Sequence, residues 1–120
     1  MRIVVVLLLL ASTAHADPLD DAKRLEAQLE FEPALVIVEK LINDGGNDRN
    51  HLVELHLFAG KLAAGLDRRD VAEDHFARAL SLAPSTTLPE GISPKIALPF
   101  AAARSPRAQS PCWRCHSGEG

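Results

Sequence analysis

The chain of 120 residues is poor in the residues that build large aromatic cores. It has no tyrosine, one tryptophan and four phenylalanines, and its single methionine is Met1. Alanine and leucine dominate instead, which favours helices and disfavours a β-sandwich. Because a chain of this length has room for one modest domain, the sequence predicts a small all-α fold.

A strong charge of either sign is also missing. Thirteen Lys and Arg residues stand against 16 Asp and Glu residues, which gives a formal net charge of −3. A mild negative charge favours solubility and argues against a surface for nucleic acid or for anionic membranes. We therefore expect no nucleic-acid partner.

No apolar run is long enough to span a membrane. The run over residues 3–11 is apolar throughout, but it is far shorter than the roughly 20 residues that a transmembrane helix needs. It follows the positive Arg2 and precedes an A-x-A site that ends at Ala16, and these three parts predict a secretory signal peptide over residues 1–16. A buried N-terminal strand or an uncleaved anchor is the alternative. We expect a periplasmic or secreted protein with no stable membrane insertion after cleavage.

The spacing of apolar residues predicts two helices before the Gly-rich loop at residues 44–48. Asp17 is the expected N-cap of the first helix, which runs from about residue 19 to 30. Its predicted inward-facing residues are Leu19, Ala22, Leu25 and Leu29. Residues 31–33 are expected to form a turn, and Pro33 opens a second helix that ends near Asn43. A strand over residues 36–38 is the competing interpretation, because all three are β-branched.

Two further helices are predicted after the loop, over about residues 50–65 and 68–83. Asp67 is the expected N-cap of the later helix, and Pro84 stops it. The residues that pack this pair are the small or aromatic Gly60, Ala72, Phe76 and Ala79. The last three share one helix face, because residues three and four apart lie above one another. The glycine permits the close approach of the other helix, so an antiparallel pair is expected.

This spacing resembles the tetratricopeptide (TPR) repeat, whose pattern is W-x2-L-G-x2-Y…A-x3-F…P. The matching residues are Gly60, Ala72, Phe76, Ala79 and Pro84. His56, Ala59 and Ala63 occupy the Trp, Leu and Tyr positions of the pattern. The resemblance implies a helical array that binds a protein partner in a groove.

A wider resemblance covers residues 17–104, which are similar to TPR-like modules in exported proteins of GC-rich Gram-negative bacteria. In those modules an SPK…F…AR segment follows the array. The residues that carry it here are Ser93, Pro94, Lys95, Phe100, Ala103 and Arg104.

A comparison of the chain with itself predicts two repeats at a shift of 38 residues. Gly60, Ala63, Ala72, Phe76 and Ala79 fall on Ala22, Leu25, Ala34, Val38 and Leu41, which are all small or apolar. A solenoid usually needs about three repeats to hide its faces, so two pairs need a cover. A short fifth helix over residues 94–104, capped by Ser93, is the candidate. Pro99 is expected to kink this helix or delay its start.

The last segment, residues 105–120, has no aliphatic residue larger than alanine. Nothing in it can build a core, so it is predicted to be a disordered tail. Within it, Cys112, Cys115 and His116 form C-x-x-C-H, the attachment motif of c-type haem. In that motif the two thiols hold the haem and the histidine ligates its iron. The resemblance to c-type cytochromes implies covalent haem c and electron transfer.

Other interpretations of this motif stay open. In an oxidising compartment the two cysteines also suit a Cys112–Cys115 disulfide, whereas a zinc site needs a fourth ligand. The tail is also consistent with a segment without function at the end of a truncated gene product. If haem is attached, the sixth ligand must come from His51, His56 or His75, because the mature chain has no methionine.

The remaining residues indicate no catalytic site. No Ser/His/Asp order, phosphate loop or pair of buried carboxylates can be recognised. His51 and His56 are five apart and do not share a helix face well, so both are expected at the surface or half-buried. We therefore expect a non-enzymatic exported scaffold that binds an unidentified protein in an apolar groove between helix pairs, without a cofactor. The alternatives are a c-type haem protein and a truncated member of a larger family.

Overall fold

The structure, a computed structural model, describes residues 17–105, and these residues form five α-helices and no strand. The helices are α1 (Pro18–Ala27), α2 (Phe31–Asp44), α3 (Arg49–Gly65), α4 (Arg69–Leu82) and α5 (Pro94–Arg104). The predicted all-α class is confirmed. The predicted signal peptide and the C-x-x-C-H motif lie outside the described residues. No helix in the described range is long and apolar enough to cross a bilayer.

Side-chain caps begin three of the helices. The Asp17 carboxylate accepts the backbone N–H of Leu19 at 3.1 Å, and the Ser93 hydroxyl accepts that of Lys95 at 3.3 Å. Both caps are as predicted. Asp48 caps α3 in the same way, since its carboxylate accepts the backbone N–H of His51 at 2.8 Å. The sequence predicts only a loop at this residue. Each cap satisfies a backbone donor that the helix itself leaves without a partner.

The ends of α1 and α3 share one geometry, the Schellman motif. In each, two backbone N–H groups beyond the helix return to carbonyls of its last turn. The four bonds run from Leu29 to Glu26, from Glu30 to Leu25, from Asp67 to Ala64 and from Arg68 to Ala63, at 2.9–3.1 Å. Leu29 and Asp67 occupy the left-handed position of the motif, with φ of 62° and 60°. Glycine is the usual residue there.

This geometry overturns two of the sequence expectations. Leu29 is not on the inner face of α1, because the left-handed turn directs its side chain outward, and it is 76% exposed. Asp67 is not the N-cap of α4, because it belongs to the end of α3, and Arg68 holds the cap position without a side-chain hydrogen bond. The Asp67 carboxylate instead pairs with Lys95 at 2.8 Å.

Proline positions explain the other boundary differences. Helix α2 begins at Phe31, two residues before the expected Pro33, because a proline in the first turn removes an N–H that has no helical partner. The alternative strand at 36–38 is wrong, since these residues are helical. Helix α5 begins at Pro94 as predicted and continues through Pro99. Helix α4 ends at Leu82, just before the chain reaches Pro84.

The backbone repeats with the predicted shift of 38 residues. Helices α2 and α4 are both 14 residues long and lie 38 positions apart, and so do the ends of α1 and α3. The two left-handed residues, Leu29 and Asp67, are also 38 positions apart. Within the described residues, α2, α4 and the turns before them therefore recur at this shift, whereas α1 has 10 residues and α3 has 17.

The core lies where α3 and α4 meet, and α5 packs against both of them. Phe76 is fully buried, and a Cβ added at Gly60 would lie only 2.5–2.9 Å from its ring. Phe100 of α5 meets the edge of Phe76 with ring centroids 5.4 Å apart. Since Phe100 is only 7% exposed, α5 packs over the aromatic centre of the core.

Candidate functional site

The residues that carry the TPR resemblance are mainly packing residues in this structure. Ala72, Phe76 and Ala79 are all fully buried, and Gly60 lies against the Phe76 ring. Pro84 is exposed beyond the end of α4. These residues set the distance between helices, so the surface that could meet a ligand has to be sought elsewhere.

Cys112, Cys115 and His116 lie outside the described residues, so the haem, disulfide and zinc interpretations stay predictions. The described residues contain no group of three or more His, Cys, Asp or Glu side chains that could hold a metal ion.

A cleft of about 460 Å³ opens between α2 and α4, and α3 contributes one residue to its lining. We call it the α2–α4 cleft. Its lining residues are Glu39, Ile42, Asn43, His56, Asp70, Val71, Asp74, His75 and Arg78. Seven of these nine are polar or charged, so this cleft is not the apolar groove that the sequence predicts between the helix pairs.

The charges of the α2–α4 cleft are mostly acidic. Glu39, Asp70 and Asp74 face a single cation, Arg78. Arg78 pairs with Asp74 at 3.1 Å, with both side chains more than half exposed. Asp70 makes no side-chain hydrogen bond or ion pair within the described part of the chain. The cleft therefore has an excess of negative charge and one carboxylate that is free to pair with a basic group.

Two histidines meet at the inner wall of this cleft. His56 of α3 is 5% exposed and His75 of α4 is 9% exposed. Their Nδ1 atoms are 3.0 Å apart, and the ring planes are tilted by 39°. The Nε2 atom of His75 lies 3.3 Å from Oε1 of Glu39 on α2. We call His56 and His75 the histidine pair.

The carboxylate of Glu39 fixes which nitrogens carry hydrogen. An ionised carboxylate can only accept, so Nε2 of His75 must donate to it. In a neutral His75 the Nδ1 atom is then an acceptor, and Nδ1 of His56 must be the donor of the 3.0 Å bond. The histidine pair thus has a defined direction when both rings are neutral.

Burial holds His56 in its neutral form. Desolvation lowers the pKa of His56 to about 4, with smaller contributions in the same direction from His75 and Arg78. Asp74 acts in the opposite direction and raises the pKa. Because the net result is well below the usual value of 6.5, His56 is uncharged at neutral pH.

The burial of His56 corrects an expectation from the sequence. The spacing from His51 predicts that both are surface or half-buried residues, and this holds for His51, whose side chain is 38% exposed. His56, however, stands one helical turn before Gly60, on the face that packs against α4. That position is a signal of burial. No local pattern indicates that its partner would be His75, which lies on another helix.

Comparisons of this chain with protein-family models, with curated proteins and with solved structures found no match. The candidate site is the α2–α4 cleft with its histidine pair. What it offers is a concave polar surface with acidic walls and a pair of buried imidazoles that share one hydrogen.

Proposed function

We propose that this chain is an exported, non-enzymatic helical module that binds a protein partner in the cell envelope. Two TPR-like antiparallel helix pairs, with α5 as a cap, are part of this proposal. The 38-residue repetition of helices and turns supports it, and so does the spacing of small and aromatic residues that resembles a TPR repeat. Arrays of this kind use concave surfaces to bind other proteins.

The α2–α4 cleft is the observation that carries the proposal. It is concave, its walls come from two successive repeats, and its free carboxylate at Asp70 can pair with a basic side chain. Asn43 adds an amide that can donate and accept hydrogen bonds with a peptide backbone. A helix or an extended segment of the partner would lie in this cleft.

Site-specific photo-crosslinking in the cells that produce the protein tests this proposal. A photoreactive p-benzoylphenylalanine replaces Ile42, which lines the cleft on α2, or Val71 on the opposite wall, and so leaves Asn43 and Asp70 intact. The matched control carries the same group at Val36, which is 58% exposed on α2 and does not line the cleft. We expect the same discrete protein adduct from both cleft positions and none from the control.

Two results would count against the proposal. Equal adducts from positions 42, 71 and 36 would indicate non-specific collision. A complete lack of adducts from the two cleft positions, with folded protein present, would remove the cleft as a partner site. Mass spectrometry of a discrete adduct identifies the partner.

The expected export has a separate test, the intact mass of the protein purified from the periplasm. The mass of residues 17–120 is expected, because the leader pattern predicts cleavage before Asp17. A mass that still includes residues 1–16 would contradict export by this route.

The C-x-x-C-H motif favours a second candidate function, electron transfer by covalent haem c at Cys112, Cys115 and His116. The same mass measurement, made in a host that matures c-type cytochromes, distinguishes the haem protein from the helical binding module. A mass increased by one haem would indicate that residues 105–120 carry the electron-transfer function. A mass without haem would leave the helical module, and a loss of two hydrogens would indicate the disulfide.

A further inference from the structure

The histidine pair connects three helices through one line of hydrogen bonds. His56 belongs to α3, His75 to α4 and Glu39 to α2. All three residues line the α2–α4 cleft. Any change in the protons of this pair therefore acts on the contact between α3 and α4 and on the wall of the cleft at the same time.

The number of protons on the two imidazole rings decides whether the hydrogen bond between their Nδ1 atoms can form. Two neutral rings share one hydrogen between their Nδ1 atoms, which are 3.0 Å apart. One added proton leaves that shared hydrogen in place, because each Nε2 can carry its own hydrogen, and the bond becomes charge-assisted. A second added proton puts a hydrogen on both Nδ1 atoms, so two donors and two positive charges face each other without an acceptor.

The charged groups around the pair come from two helices. Glu39 of α2 lies beside His75, and α4 contributes Asp74 and Arg78 near His56. Asp70 of α4 lines the same cleft. Asp74 favours proton uptake by His56, whereas burial, His75 and Arg78 oppose it. Burial has the largest effect on His56 and holds its pKa at about 4, so His56 takes up a proton only in acid.

We propose that the histidine pair is a proton-operated contact that holds α4 against α3 and releases it when both rings are protonated. Release widens the α2–α4 cleft at its inner wall. A change in partner binding at low pH would follow, and that consequence rests on the proposed function. The proton-operated contact itself needs no partner, so its test and the crosslinking test can fail independently.

The nitrogen signals of the histidine rings give the first test, by NMR on the uniformly ¹⁵N-labelled full chain at about pH 7, where free histidine is mostly neutral. We expect hydrogen on Nε2 of His75 and on Nδ1 of His56. A spectrum with both Nδ1 atoms bare would overturn the proposal, because no hydrogen would then be shared between them.

Amide hydrogen exchange gives the second test. Between about pH 7 and pH 4.5, after correction for the intrinsic pH dependence, exchange in α4 should accelerate at least about tenfold. The acceleration should be lost in His56→Gln, which cannot take up a proton, and kept in His51→Gln, the matched control on the same helix. Equal acceleration in wild type and His56→Gln would overturn the proposal.

The wild-type protein alone also decides the question if His56→Gln does not fold. The loss of protection in α4 should then follow the ring titration of His56, with the same midpoint. Protection that persists after both rings are protonated would contradict a proton-operated contact.

Discussion

The two repeats of this chain, α1–α2 and α3–α4, share their turn geometry and the length of their second helix, although α1 has 10 residues and α3 has 17. The residues that precede α2 and α4, Glu30 and Arg68, have nearly identical dihedral angles, with φ, ψ of −92°, 71° and −90°, 72°. Gly60 and Phe76, which are in contact in the second repeat, correspond by position to Ala22 and Val38 in the first. All four residues are buried.

The equivalent positions differ in side-chain volume between the two repeats. A larger side chain on the second helix of a repeat is matched by a smaller one on the first. The ring of Phe76 occupies the space where a Cβ of Gly60 would stand, at 2.5–2.9 Å. Because protein interiors are close-packed, the Phe76 ring fits only if residue 60 has no side chain. The two residues therefore have to be considered together.

A second difference concerns polarity. His75 in the second repeat corresponds to Ile37 in the first, which is partly buried against the core. The imidazole brings a hydrogen-bonded pair and a titratable contact to the second repeat, whereas the isoleucine contributes apolar packing. The two repeats should therefore respond differently to truncation and to pH.

Truncation of the large side chain should have the largest effect. Phe76→Ala is expected to lower the free energy of unfolding by about 3–5 kcal/mol, because it removes a fully buried ring and leaves a cavity. Val38→Ala, the equivalent change in the first repeat, removes two methyl groups and should cost about 2 kcal/mol. Urea unfolding followed by circular dichroism measures both. Equal losses would contradict the central position of Phe76.

Acid should destabilise the second repeat through His56. The folded state resists protonation of this residue, with a pKa of about 4 against 6.5 in the unfolded chain, so the unfolded state binds more protons as the pH falls. Between about pH 7 and pH 5 this lowers the free energy of unfolding by about 2 kcal/mol. Unfolding curves at both pH values measure it.

The matched variants isolate this contribution from other titrating groups. His56→Gln should lose most of the pH dependence, and His51→Gln should keep it, since His51 is exposed on the same helix. If the difference between the two pH values is the same in all three proteins, burial of the His56 ring does not control the acid response.

Gly60→Ala should destabilise the protein by about 1–2 kcal/mol. Overpacking against Phe76 costs about 1–3 kcal/mol, and the better helix propensity of alanine returns up to about 1 kcal/mol. The double variant Gly60→Ala with Phe76→Val installs the pair of the first repeat. Its loss should be smaller than the sum of the two single losses by about 1 kcal/mol, because contacting residues are coupled. If the losses in the free energy of unfolding are additive, the small residue at position 60 does not compensate for the large residue at position 76.

The 38-residue spacing of helix ends is the feature of the fold that the sequence predicts best. The shift of 38 residues came from small and apolar residues that are buried in both repeats, such as Ala34 and Ala72. The caps Asp17 and Ser93 and the stop at Pro84 follow from local backbone chemistry. These signals lie within a few residues of the feature that they specify.

What the sequence did not predict depends on contacts between distant residues or on rare backbone geometry. His56 and His75 are 19 positions apart, and their pairing arises only when α4 packs on α3. The α2–α4 cleft requires the same packing. The boundary errors at Leu29 and Asp67 have a different cause, since neither residue is a glycine and left-handed helix ends are usually recognised by one.

Those two left-handed positions give the smallest expected effect and another comparison of the repeats. Leu29→Gly should stabilise the protein by about 1 kcal/mol, because φ of 62° is unfavourable for leucine and its side chain, 76% exposed, contributes little packing. Asp67→Gly should change the free energy of unfolding by less than about 0.5 kcal/mol, because aspartate tolerates this region and its exposed pair with Lys95 adds little. Thermal unfolding of the two variants measures both. Destabilisation by Leu29→Gly would show that the exposed leucine contributes contacts that outweigh its backbone strain, and the two turns would then differ in packing as well as in sequence.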